Sequence, residues 1–62
     1  MKDQDVQRAA RELIKFYGAA AKAEALQRAG EAIRDGKPGI AAVWELVGDA
    51  VEGQLRRDKP AN

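Results

Sequence analysis

Two rows of charged side chains have a spacing suited to chemistry. Glu45, Asp49 and Glu52 recur four and three residues apart, so a helix sets them on one face, where oxygen ligands could meet a hard cation. Arg8, Arg11 and Lys15 recur in the same way and, with Arg28, could meet phosphates. The acidic row lacks what carboxylate metal sites in helical proteins also use, a Glu-x-x-His motif, because the chain has no histidine. It reads as a solvated helix face. The basic row stays as an alternative, a nucleic-acid-binding regulator working through the first helix. Acidic residues interrupt every basic stretch, however, and breaks at Gly18 and Gly36 do not give the usual recognition-helix geometry.

The inventory of reactive groups is short. Cysteine, histidine, serine and threonine are all absent, which leaves Tyr17 as the only hydroxyl and no nucleophile or neutral-pH base. Glu12 and Glu24 stand isolated on wet faces. Gly36 and Gly39 bracket Lys37 before a helix start, but a phosphate loop needs a preceding strand and a longer glycine-rich turn. No catalytic, cofactor-binding or metal-binding residue is assigned, no cofactor is expected, and an enzyme is not expected.

Three helices must position these rows. Gly36 suits the left-handed residue that ends a helix, Lys37 before proline leaves the helical region, and Pro38 suits a first helical position. Asp35 to Gly39 therefore reads as stop, turn and start, the signature of an αα-hairpin. Beyond it, Ile40, Val43, Trp44, Val47, Val51 and Leu55 fall within a sector of roughly 120°, opposite Glu45, Asp49, Glu52 and Arg56. Trp44 is expected in the core. Ala42, Leu46, Ala50 and Gly53 line a second, flatter side of the same helix where a partner could dock.

The first helix is expected to start near Asp3 as its cap, with Val6, Ala9, Ala10, Leu13 and Tyr17 inward, widened by Ile14 and Phe16. A straight helix through Gly18 would put Leu26 and Ile33 on the side away from Val6, so the chain is expected to break there, the alternative being one long two-sided helix that bridges subunits. The second helix then carries Ala19, Ala23, Leu26, Ala29, Gly30 and Ile33 inward, with Glu24 and Arg28 paired outside. The expected helices are 3–17, 19–35 and 38–57, with Arg56, Arg57 and Lys59 favouring the last helix end and a tail at 58–62.

At 62 residues the chain is one domain, 1–62, with a thin core and no disulfide or metal to staple it. A homo-oligomer is therefore expected. The formal charge of +1, from 11 basic and 10 acidic residues, gives no bulk attraction to nucleic acid or an anionic membrane. No apolar run reaches membrane-spanning length and no signal peptide is seen, so the expected location is the cytoplasm.

The pattern Ala10-x-x-Leu13-Ile14-x-x-Tyr17-Gly18, then Ala25, Arg28, Ala29, the Gly36 turn and Trp44-x-x-Val47-x-x-Ala50, resembles a loose group of short, uncharacterised helical proteins from alphaproteobacteria. It spans about Ala10 to Leu55. The resemblance implies a small helical bacterial protein and carries no activity with it. In that group the position of Tyr17 is often histidine. The expectation is thus an all-α, small three-helix bundle built on an αα-hairpin and completed by self-association. Its expected role is a non-enzymatic protein–protein interaction module, presenting a helix face to itself or to a larger partner.

Overall fold

The computed structural model describes residues 3–58 of the chain. All the regular structure among them is helical: α1 (Asp3–Tyr17), a 3-10 turn (Gly18–Ala20), α2 (Ala21–Arg34) and α3 (Pro38–Asp58). The side chain of Asp3, expected as a cap, and the expected tail with Lys59 and Pro60 lie outside what is described.

Residue types explain the boundaries. Gly18 has φ +56° and Gly36 φ +75°, left-handed values that a residue without Cβ adopts cheaply. At the second break, Gly36 N–H donates to Ile33 C=O at 3.0 Å and Lys37 N–H to Ala32 C=O at 2.8 Å. This crossed pair is a Schellman motif, which satisfies carbonyls that the end of α2 would otherwise leave open. Lys37 C=O then accepts from Ala41 N–H at 3.1 Å, so α3 starts with Pro38 in its first position. At the first break the chain takes a 3-10 turn before α2, which begins two residues later than expected.

Helices α2 and α3 pack antiparallel. Lys22 meets Glu52, Gly48 faces Ala25 and Leu26, Arg28 lies over Trp44, and Ala29 and Ala32 share a cluster with Ala41: one index rises as the other falls. Helix α1 packs on the open end of this hairpin, where Val6, Ala10 and Leu13 join Ala21, Ala25, Val47 and Val51 in one buried cluster. A second cluster of Ala29, Ala32 and Ala41, with Trp44 against it, closes the turn end.

Several side chains sit differently from expectation. The inward face of α2 is Ala21, Ala25, Ala29 and Ala32, whereas Ala19, Ala23 and Gly30 are exposed, as are Leu26 at 47% and Ile33 at 58%. Only Ala29 of the expected set is inside. The cause is complementarity: α3 turns large Val47, Val51 and Trp44 toward α2, so its neighbour must be small for the helices to close without voids or overlap. On α1, Val6, Ala10 and Leu13 are buried and Ala9 and Ile14 partly so, while Phe16 and Tyr17 are exposed at the end of the helix, where Tyr17 reaches the hairpin through its hydroxyl at Arg28. Ile40, in the first turn of α3, is likewise exposed.

Candidate functional site

The turn end of the hairpin holds the most chemically varied surface. Trp44 is half-buried against Ala29, Ala32 and Ala41, and the Arg28 guanidinium lies 5.1 Å from its ring centroid. Position 28 is one turn beyond Glu24, so Arg28 Nε also donates to Glu24 Oε2 at 2.9 Å, the i, i+4 pair expected from spacing. A further terminal N–H reaches Tyr17 Oη at 3.4 Å. The hydrogen bond from Arg28 to Glu24 raises the already high guanidinium pKa, outweighing the opposing effect of burial, and the Tyr17 contact adds to the rise. Arg28 is therefore a fixed cation and serves as the lid of Trp44.

Beside this lid runs an open groove of about 410 Å³, lined among others by Glu31, Asp35, Lys37, Ile40 and Trp44. Both signs of charge line it. It offers no enclosed volume and no convergent set of reactive groups, and among the described residues no trio of acidic residues is arranged to hold a metal.

The expected basic row separates into two parts. Arg8, Arg11 and Lys15 stand together on the exposed side of α1, away from Val6, Ala10 and Leu13, and Lys15 Nζ lies 5.9 Å from the Phe16 ring centroid. Arg28 is elsewhere, committed to Glu24 and Trp44. In the acidic row Glu45 and Asp49 are exposed, whereas Glu52 takes part in ion pairs with Lys22 and Arg56, the latter at 2.5 Å. The Lys22 hydrogen bond, followed by its charge and that of Arg56, holds the Glu52 carboxyl below its ordinary range.

On the docking side expected of α3, Ala42 and Leu46 are exposed, Leu46 at 54%. Ala50 and Gly53 are partly buried, and Ala50 packs against the open-end core. A second apolar surface was missed: Ala19, Ala23, Leu26, Gly30 and Ile33 form an exposed stripe along α2 and the turn before it. Its signal was present in the periodicity but was assigned to the core. Leu26 borders Gly48 of α3, where a methyl group would meet its Cδ2 at 3.6 Å, so the stripe merges with a narrow seam between the helices.

No protein-family model, curated protein or solved structure matches this chain. No described helix is long and apolar enough to cross a membrane.

Proposed function

We propose that this chain is a small, non-enzymatic interaction module of the bacterial cytoplasm, a three-helix bundle completed by association with a second copy. The observation that carries the reading is the α2 stripe. Leu26 and Ile33 share one side of an amphipathic helix and remain about half exposed, although among the described residues the largest fully buried side chains are Val47 and Val51. A fold this thin gains from covering them.

The expected affinity follows from area. Covering what remains exposed of one such side chain contributes about 1 to 2 kcal/mol, and a two-fold pair has four of them. Association itself costs about 4 kcal/mol or more, so at most about 4 kcal/mol is left and the dimer is weak, with a dissociation constant near millimolar. Light scattering over a concentration series checks this: Leu26→Ser with Ile33→Ser should abolish the dimer, while Leu46→Ser should leave it. A strict monomer at millimolar concentration, with no protein retained in a pull-down, refutes the module.

The exposed row of Arg8, Arg11 and Lys15 keeps nucleic acid as the second reading. A gel shift at low salt, where phosphate contacts are strongest, tests it directly, and absence of binding there removes it.

A further inference from the structure

The connection between α1 and α2 is unlike the one between α2 and α3. Gly36 is held by a Schellman motif, whereas the first junction is a 3-10 turn of Gly18, Ala19 and Ala20 with no side-chain cap, all three exposed. No atom outside its immediate neighbours lies within 4 Å of the position a Cβ would take on Gly18. Its φ of +56° is the left-handed step in the junction, flanked by Tyr17 at φ -118°, ψ -10° and Ala20 at φ -86°, ψ 0°, which a right-handed helix would only have to adjust. The residues that follow, Ala19, Ala20 and Ala21, are the strongest helix formers there are.

Helix α1 is attached along one side, with Ala9 and Ile14 partly buried beside its core residues and Tyr17 Oη accepting from Arg28. Its buried side chains are Val6, Ala10 and Leu13, and Gln54 Nε2 fastens it by donating to Gln7 C=O at 3.1 Å and to Gln7 Oε1 at 2.9 Å. A second copy offers the same hairpin surface and the same Gln54.

We propose that α1 exchanges between two copies of this chain. Gly18 moves from the left-handed to the right-handed helical region, α1 and α2 become one helix across residues 3–34, and each α1 docks on the partner's hairpin. The contacts of α1 with the hairpin are then remade between chains, which is the economy of a domain swap, and short hinges favour it. Where the two long helices cross, Ala19 and Ala23, four residues apart on the side that also carries Leu26 and Ile33, let the backbones approach closely. The proposal rests on the self-association reading and names its route.

The test uses the hinge and the absence of cysteine. Gly18→Ala penalises the left-handed turn and favours the straight helix, and a dimer has two hinges, so its dissociation constant should fall on the order of 100-fold. D-alanine at position 18, introduced by synthesis of the 62-residue chain, prefers the turn and should raise that constant. Gln7→Cys with Gln54→Cys, joined by a short bismaleimide, reports where α1 sits. Cross-linking should give a monomer mass in the dilute wild-type background and a covalent dimer in the Gly18→Ala background.

A Gly18→Ala dimer whose 7–54 link stays within one chain overturns the exchange and leaves self-association standing. So does a folded Gly18→Ala chain no more dimeric than wild type. Monomers throughout at millimolar concentration overturn both. If Gly18→Ala does not fold, the D-alanine chain decides: a dissociation constant equal to that of wild type overturns the exchange.

Discussion

The two ends of the α2/α3 hairpin solve the same packing problem with opposite materials. At the open end, Val47 and Val51 fill the space between helices and a third helix covers them with Val6, Ala10 and Leu13. At the turn end, Ala29, Ala32 and Ala41 bring the backbones together, and Trp44 under Arg28 stands where a third helix would otherwise lie. The difference teaches that stability at the open end rests on side-chain volume, and at the turn end on backbone geometry fixed by the Gly36 motif. Substitutions should therefore act through cavities at one end and through φ at the other.

The strongest break of this contrast is Leu13→Ala, which empties the contact of α1 with both other helices. It should cost about 3 kcal/mol, much of the stability of a domain this small, and appear as loss of a cooperative thermal transition. At the turn end, Gly36→Ala should cost about 1 to 2 kcal/mol, because φ +75° is retained only at the expense of a left-handed Cβ. If denaturant unfolding shows Gly36→Ala to be harmless, the turn end does not rest on its glycine.

Gly48 lies midway and sharpens the comparison with a gain. A methyl group there meets Leu26 Cδ2 at 3.6 Å and Ala25 Cβ at 3.7 Å, ordinary contact distances, while glycine inside a helix forfeits up to about 1 kcal/mol against alanine. Gly48→Ala should raise the midpoint of urea unfolding. A lowered midpoint would mean that the seam between the helices is closer than these distances state.

The smallest effect belongs to Glu52. Its carboxyl is held below the ordinary glutamate value of about 4.3 in the folded chain, first by the Lys22 hydrogen bond. A depressed folded pKa means that its contribution is complete above that unfolded value and is lost as pH falls through the lower folded one. Acid titration followed by circular dichroism should therefore show a weak loss of stability below about pH 4.3, flattened in Glu52→Gln. Both partners are largely solvated, so salt should flatten it too.

Helix termini were legible because they depend on residues a few positions apart. Gly36, Lys37 and Pro38 carry their own conformational preferences, and the glycine and proline rules for α2 and α3 are met in the hydrogen bonds around them. The Glu24–Arg28 pair was legible for the same reason, since one helical turn brings the two together. The candidate surface was less so. Phase places Leu46 outside, but phase alone also groups Leu26 and Ile33 on one side of α2 without saying whether that side is covered, and Tyr17 and Phe16 continue the stripe of α1 although its end is exposed.

By itself, then, the amino-acid sequence determined an all-helical chain with breaks at Gly18 and Gly36, and it excluded hydroxyl, thiol and imidazole chemistry apart from the phenol of Tyr17. Helices form from local preferences that the residues carry with them. Which side of α2 faces inward was decided only by the tertiary structure. Two apolar stripes compete on that helix, and the alanine stripe won because Val47, Val51 and Trp44 on α3 already fill the space between the helices. Leu26 and Ile33 were left outside by that choice, and the surface proposed for association follows from it.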